Sequence, residues 1–535
     1  MSYFESVFSS EFKHLEPKLI ETEHIFGQNE KFLLIAGDFF GIQKFIFDGI
    51  TTKKAAKILR AKSAYVQILT KVLAYYTIDR LGIGSRCILS TAAGKFEILS
   101  PNLDLHAIED IKSKINAKFI KDFYGVSGIG ISFVECEKKD FEDKVLYKKL
   151  RDALSERVED SKYSKFDLVN ADPVLHYDED ITNQTLCKLC NLRKQTNNEN
   201  CQICDDFVSI GKELTTKQTL KISKNKGSYR IFEEYYVSFD ANKDENTVEI
   251  FDISKDAQGA KAWALSSYTH CGKHGEITTF EELAKYSCAS SDSGVKAIGV
   301  LKGDIDGMGN FLKNGDATDS MQNFNTFSKS IDAFFSVHIP RVMREKYPHS
   351  YTVFAGGDDL FLIGAWDEIL ELAVFIQKEF AKFIDSKLSI SFGFLIAKEN
   401  TPLNYLADTA EHLLELSKSI DENKNAITAF GESVKWSKYV TIRENISKLL
   451  LSDIGTDELK TAFLYNLLTF CDMSKRVNED IEATMWKSKL NYSFTRNMDK
   501  KHIAVLKEID EAIEKHPREA KMVISEVIYK LRSAQ

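Results

Sequence analysis

The segment Tyr351-Thr352-Val353-Phe354-Ala355-Gly356-Gly357-Asp358-Asp359-Leu360-Phe361-Leu362-Ile363-Gly364 sets two glycines and two aspartates between two short apolar runs. The apolar runs read as strands, and Gly-Gly between them as a tight hairpin turn, because glycine accepts positive φ freely. Such a turn presents Asp358 and Asp359 together at its tip. Paired carboxylates are costly side by side unless a cation shares them, so the stretch reads as half of a magnesium site. The other half must be a carboxylate on a neighbouring strand. The segment 297–309 supplies it, as an apolar strand running into Asp304 and Asp306. A helical pattern covers roughly Ser320 to Lys346, ahead of the hairpin. Strand, helix and hairpin in this order predict a ferredoxin-like palm. Its first and third strands are neighbours, which brings Asp304 near Asp358. Two divalent ions, magnesium or manganese, held by Asp304, Asp358 and Asp359 suit in-line nucleotidyl transfer. One ion would activate a 3′-hydroxyl and the other would clamp a triphosphate.

The palm pattern occurs twice. Ile35-Ala36-Gly37-Asp38-Phe39-Phe40-Gly41 aligns with Leu301-Lys302-Gly303-Asp304-Ile305-Asp306-Gly307. Ala92-Ala93-Gly94-Lys95-Phe96 aligns with Ala355-Gly356-Gly357-Asp358-Asp359. The spacing is 57 residues from Asp38 to Lys95 and 54 from Asp304 to Asp358. Two motifs in one order at one spacing imply two palms. In the first, Lys95 replaces Asp358, Phe96 replaces Asp359 and Phe40 replaces Asp306. A lysine repels magnesium, so this palm keeps the shape and loses the metal chemistry. Lys95 either faces a phosphate or is merely exposed.

Between the palms stand Cys187-Lys188-Leu189-Cys190 and Cys201-Gln202-Ile203-Cys204. Two CxxC knuckles at short separation predict a tetrahedral, structural zinc site. Cys271, His274 and Cys288 could contribute part of a second site. From about Trp436 onward the periodicity is almost wholly helical and predicts a small docking bundle. The predicted fold is therefore α+β. Its expected domains are a non-catalytic first palm with the N-terminal segment (1–175), a zinc-binding domain (176–290), a second palm (291–435) and a C-terminal helical domain (436–535).

Composition bounds the function classes. The chain has 535 residues, net charge −8 and only seven prolines, which argues for several folded domains and against long disordered linkers. No global basic field advertises nucleic acid. The local cluster Lys53, Lys54, Lys57, Arg60 and Lys62 reads as a nucleic-acid patch or as a solvated helix face. The N-terminus lacks a basic head and apolar core, and no apolar run is long enough to span a bilayer, so the expectation is a cytoplasmic protein without a membrane partner.

Taken together, Asp38 to Phe45, Leu59-Arg60-Ala61-Lys62-Ser63, the double CxxC followed by Ile210-Gly211, Gly303 to Gly309, Gly356 to Asp359 and Trp486 to Asn497 occur in a characteristic order. In this the chain resembles the large subunit of type III CRISPR effector complexes, nearer the III-A than the III-B form. The resemblance implies that the second palm converts ATP into cyclic oligoadenylates when a complex of guide RNA and other subunits binds target RNA. It implies Asp304 and Asp358 as magnesium ligands, with the Ile305 carbonyl assisting. Asp359 would be a further ligand or an electrostatic support. Gly356 and Gly357 would let the backbone approach the triphosphate. Asp306, Gly307 and Lys418 are assigned to the same ATP, and Gly94 and Lys95 to an acceptor ATP on the first palm.

The chain departs from that family in two places. Most members begin with an HD nuclease domain, and this sequence contains no His-Asp dipeptide, while His14 and His24 lack the companions of a two-metal cluster. Phe4 to Ser10 resembles the segment that normally follows the HD domain, so no DNase activity is expected. Ala93 stands where the family usually has a glycine. The alternatives from other classes are a non-catalytic scaffold subunit and a stand-alone cyclase using GTP.

Overall fold

The computed structural model describes residues 2–21, 23–27, 29–50, 54–163, 185–196, 199–254, 257, 261–265, 268–272, 275–288, 293–455 and 459–532. Lys53, His274 and the expected boundary at 175/176 lie outside them.

Strands β1 (Lys31–Phe40), β2 (Ile88–Ala92), β3 (Lys95–Ser100) and β4 (Gly128–Glu137) form an antiparallel sheet in the order β2-β3-β1-β4. Helix Ala55–Arg80 leads from β1 to β2, and helix Leu105–Phe123 from β3 to β4. Four further strands, β5 (Thr219–Lys224), β6 (Tyr229–Phe232), β7 (Tyr235–Ser238) and β8 (Thr247–Asp252), make a separate sheet ordered β6-β7-β5-β8. The third sheet contains β9 (Ile298–Asp306), β10 (Ser350–Gly356), β11 (Asp359–Ala365), β12 (Ser389–Ala397), β13 (Ala426–Ala429) and β14 (Glu432–Lys435). Its order is β10-β11-β9-β12-β13-β14, so its first four strands repeat the connections of the first sheet.

The helical run predicted for 320–346 is present as Met321–Ala333, a π-helical turn at Phe334–His338, and Ile339–Lys346. Ser320 caps it, its side chain accepting from the Asn323 N–H. The second long crossover is helix Trp366–Phe383.

Alternation along β9 decides which side chains reach which layer. Lys302 pairs with Gly393 across β12, and a Cβ on Gly393 would lie 2.4 Å from the Ala410 carbonyl of helix Leu403–Lys418. Lys302, Asp304 and Asp306 therefore share the face covered by that helix. Leu301 and Ile305 take the opposite face, in the core with helix Trp366–Phe383.

The first and third sheets are not independent bodies. Val300, Tyr351, Phe361, Ile363 and Ala410 belong to the same apolar core as β1, β3 and helix Ala55–Arg80. Phe47 and Phe361 meet with ring centroids 4.7 Å apart, and Tyr351 Oη donates to the Ala56 carbonyl at 2.7 Å.

Two expectations change here. The expected first-palm domain includes the N-terminal segment, but Phe4, Phe8 and Phe12 pack in the outer core of the third sheet. Phe8 stacks on Phe383 at 4.6 Å, and Ser9 N donates to the Phe383 carbonyl at 2.9 Å. The basic cluster is not a uniform solvated face either. Arg60 is buried and donates to Thr269 Oγ1, while Lys62 donates to the carbonyls of Phe45 at 2.9 Å and Asp48 at 2.7 Å. These cations tie elements together, which periodicity could not separate from surface exposure.

The C-terminal region consists of helices Trp436–Lys448, Thr461–Lys475, Trp486–Asn497, Ile503–Lys515 and Pro517–Leu531. Arg443 joins it to the third sheet's helix layer by pairing with Glu526 at 2.6 Å and with Glu371. Among the described residues, no helix is long and apolar enough to cross a membrane.

Candidate active site and metal centre

The hairpin loop between β10 and β11 is Gly357-Asp358, so the two carboxylates part ways. Asp358 is exposed at the tip. Asp359 opens β11 and lies directly opposite Asp304 of β9. The predicted proximity of Asp304 to the hairpin is thus built into the sheet register, and Ile305 N donates to the Asp358 carbonyl at 3.2 Å. The sequence reading put both carboxylates at the tip. The turn is one residue further along, because β10 extends through Gly356.

Each carboxylate of the facing pair is met by a lysine. Lys418, at the end of helix Leu403–Lys418, contacts Asp304 Oδ2. Burial, helped by the like charges of Lys424 and Lys302, lowers the Lys418 ammonium to about 8; the Asp304 contact favours its charged form. Lys302 is only 1% exposed and lies 2.7 Å from Asp359 Oδ1. Burial pushes the Asp359 carboxyl above its usual range; Lys302 opposes that shift, and Asp358 and Glu411 add to it.

Asp306 is directed inward. Its Oδ2 accepts from Ser389 Oγ at 2.8 Å, Ser391 Oγ at 2.9 Å and Asn425 N at 3.0 Å. These bonds fasten β9 to β12 and to the approach of β13, and the side chain is sealed at 6% exposure. Gly307 follows with φ +73° at the start of helix Met308–Asn314.

The first sheet brings its own hairpin to the same place. Ala93 and Gly94 turn between β2 and β3, with φ values of 48° and 82°. A Cβ on Gly356 or Gly357 would lie 3.5 or 3.4 Å from Ala93 Cβ. Lys95 is exposed beside this turn. On the first sheet, Asp38 occupies the place of Asp304 and is buried, with Lys162 at 3.7 Å.

Sequence reasoning missed Asp332, Lys302, Glu411 and Gln43. Asp332, on helix Met321–Ala333, accepts from Gly357 N at 3.4 Å, and burial pushes its carboxyl up to about 6 against that hydrogen bond. Lys302 and Gln43 fall within the strand-end motifs, where nothing marks their pairing, while Asp332 and Glu411 come from helices outside any motif.

Asp304, Asp358 and Asp359 offer the hard, acceptor-only oxygens that magnesium takes. Among the described residues, however, the four cysteines are the only group of three or more His, Cys, Asp or Glu whose ligand atoms all lie within 4.8 Å of one another. Asp304 and Asp359 are turned toward Lys418 and Lys302. Cys187, Cys190, Cys201 and Cys204 are all buried, and Cys190 and Cys201 sulfurs are 3.9 Å apart. Tetrahedral zinc with Zn–S near ~2.3 Å spaces its sulfurs by about 3.8 Å, so the donor set fits. Arg193 Nη1 lies 3.7 Å from Cys190 Sγ and favours thiolate. Helix Gln202–Thr216 starts at this cluster and packs on helix Ala55–Arg80, where a Cβ on Gly211 would meet the Lys57 carbonyl at 2.3 Å. The weaker group of Cys271, His274 and Cys288 includes a residue outside the described set.

Residues 297–428 match the family described as Cas10/Cmr2, second palm domain, and residues 31–179 match Csm1 subunit domain B. The chain is 27% identical over 507 residues to a single-strand-specific deoxyribonuclease Cas10/Csm1 (subtype III-A) of Thermococcus onnurineus, covering 85% of this chain and 64% of the relative. It is 25% identical over 472 residues to the protein of the same description from Enterococcus italicus, covering 85% and 61%. The chain thus spans about three fifths of the length of these relatives. A Csm1–Csm4 cassette solved with cA3 superposes with TM-score 0.70 at 22% identity, covering 95% of this chain and 71% of that one. The cassette solved with one ATP gives TM-score 0.70 at 22% identity, covering 94% and 70%.

Proposed function

The chain belongs to the Cas10/Csm1 family of type III-A CRISPR systems, and from that premise we propose that it joins ATP into cyclic oligoadenylates as the catalytic subunit of an RNA-activated effector complex. The observation that carries the proposal is the meeting of two hairpins. The Gly356–Asp359 turn, set in register with Asp304, lies against the Ala93-Gly94 turn of the first sheet. The two sheets are read as paired palms, with the zinc knuckle and the β5–β8 sheet between them and a helical bundle after them. The ligands named for the related cassettes, cA3 and one ATP, support the same substrate and product class.

In this reading Asp304 and Asp358 hold two magnesium or manganese ions, and Asp359 supports them. Such ions, when bound, favour the deprotonated attacking hydroxyl and neutralise charge on the transferring phosphate. Lys418 releases Asp304 and turns its ammonium to a phosphate oxygen. Gly356 and Gly357 carry no side chain, so the donor triphosphate approaches their backbone. Asp306 acts from behind, fixing β9 on β12. The acceptor nucleotide lies on the first palm beside Gly94 and Lys95. Its 3′-oxygen attacks the donor α-phosphorus, the bond to the bridging oxygen breaks, and pyrophosphate leaves; the hydroxyl proton passes to solvent. Repetition and ring closure give the cyclic product. Positioning and charge neutralisation supply the rate. Zinc on the four cysteines is structural, since no ligand position is left open.

A Csm4-type subunit, guide RNA and target RNA are the proposed partners, and the cytoplasm the proposed location. DNA cleavage, for which the curated relatives are named, forms no part of the proposal.

One observation favours a second reading as a scaffold: Asp304 and Asp359 are already neutralised by Lys418 and Lys302. Mass analysis of reactions with ATP or GTP, with and without RNA-bound partner subunits, separates the readings. Cyclic oligoadenylate only with ATP and RNA-bound partners supports the proposal. A GTP product without partners indicates a stand-alone cyclase, and no product at all indicates a scaffold.

A further inference from the structure

Lys302 is the most deeply buried charged group beside the hairpin, at 1% exposure. It stands two residues before Asp304 on β9, on the same face. Its Nζ lies 2.7 Å from Asp359 Oδ1, 3.8 Å from Glu411 Oε2 and 4.9 Å from the centre of the Phe354 ring. A buried ammonium is stable only with such partners, and here two carboxylates share it. Glu411 belongs to helix Leu403–Lys418, and its Oε2 also accepts from Gln43 Nε2 at 3.0 Å. Gln43 lies on helix Ile42–Phe47 of the first sheet's domain, which follows β1 as helix Met308–Asn314 follows β9. A continuous polar chain therefore runs Gln43–Glu411–Lys302–Asp359, from the inert half of the molecule to the live hairpin.

We propose that Lys302 is a positioning residue that holds Asp359 out of the metal-binding set, and that Gln43, through Glu411, sets how firmly it does so. The proposal rests on the metal-site reading above. Lys302 divides its charge between Asp359 and Glu411. Whatever frees the Glu411 carboxylate from Gln43 lets it draw Lys302 away, and Asp359 then becomes an available ligand. Movement of the first domain against helix Leu403–Lys418 thus changes the number of carboxylates a cation meets, without moving the hairpin backbone.

The test is binding of Mn2+ alone to the full chain, followed by the free-ion electron paramagnetic resonance signal, with no turnover required. Asp358→Ala should weaken binding at least tenfold; if it does not, the metal-site reading fails and this inference falls with it. Lys302→Met should tighten binding at least fivefold by releasing Asp359, whereas Lys302→Arg should stay within twofold of the native chain. Gln43→Ala should tighten binding two- to threefold, and Glu411→Gln should weaken it by about the same factor. The Gln43→Ala effect should vanish in the Lys302→Met background. A lysine that merely supports the fold would lower thermal stability and leave Mn2+ affinity unchanged, which would overturn the inference while the Asp358 result stands. Should Lys302→Met fail to fold, the opposed shifts of Gln43→Ala and Glu411→Gln, both at half-buried side chains, decide it: no shift in either overturns it.

Discussion

Ala93 and Gly357 face each other across the two halves of the molecule: a Cβ on Gly357 would lie 3.4 Å from Ala93 Cβ. The missing side chain at Gly357 lets the two hairpins approach this closely. Gly357 has φ +63°, in the left-handed region, where an alanine costs about 1–2 kcal/mol. Gly357→Ala should lower stability by about that amount. It should reduce oligoadenylate synthesis far more, by about a hundredfold, because a small displacement of Asp358 spoils alignment of the reacting groups. Urea titration beside initial-rate measurement checks both; an equal, small effect on each would contradict the assigned role.

Gly211 tests the packing that carries the cysteine cluster. Alanine gains roughly 1 kcal/mol in helix propensity over glycine. Here the added carbon would lie 2.3 Å from the Lys57 carbonyl, which is backbone and cannot swing aside. Overpacking of this kind costs about 1–3 kcal/mol, so Gly211→Ala should destabilise. Chemical denaturation of the variant measures the sign.

The four cysteines should bind one zinc per chain, as read by elemental analysis. Cys201→Ser with Cys204→Ser should abolish it, with a loss of roughly 5 °C or more in melting temperature, since binding energy at such a site is folding energy. Protease should then cut the segment between Leu186 and Thr216 sooner than in the native chain.

Glu526 gives a pH prediction. Burial pushes its carboxyl up, but Arg443 and then Lys530 outweigh burial and hold it near about 2. A depressed folded-state pKa stabilises the protein above the unfolded value, near ~4.3, and that contribution disappears as pH falls toward 2. A shift of that size corresponds to about 3 kcal/mol. Glu526→Gln should therefore be strongly destabilised at pH 7, and the gap to the native chain should shrink steadily between pH 5 and pH 2. Denaturation series at each pH test this; a constant gap would contradict it.

Register made much of the site legible in the sequence. An apolar strand ending in Asp304, a helix and a Gly-Gly turn leave few ways to pair, and β9 does lie beside β11. The repeated strand order of the two sheets follows from the same spacing at Asp38 and Lys95. What stayed hidden depends on side-chain direction and long-range contact. Asp306 looked like a partner of Asp304, but Ser389, Ser391 and Asn425, more than eighty residues away, draw it inward. Strands β5–β8 and β13–β14 are short and irregular in pattern, and their pairing emerges only with the layers around them. The N-terminal phenylalanines signal burial without saying against what; Phe383 and Phe327 settle it.

The most direct measurement of the central claim is mass analysis of products from ATP and magnesium in the assembled complex with target RNA, for the native chain and for Asp358→Ala with Asp359→Ala. The native chain should give cyclic oligoadenylates and pyrophosphate, and the double variant neither, with complex assembly unchanged. Product formation by the double variant at the native rate would contradict it.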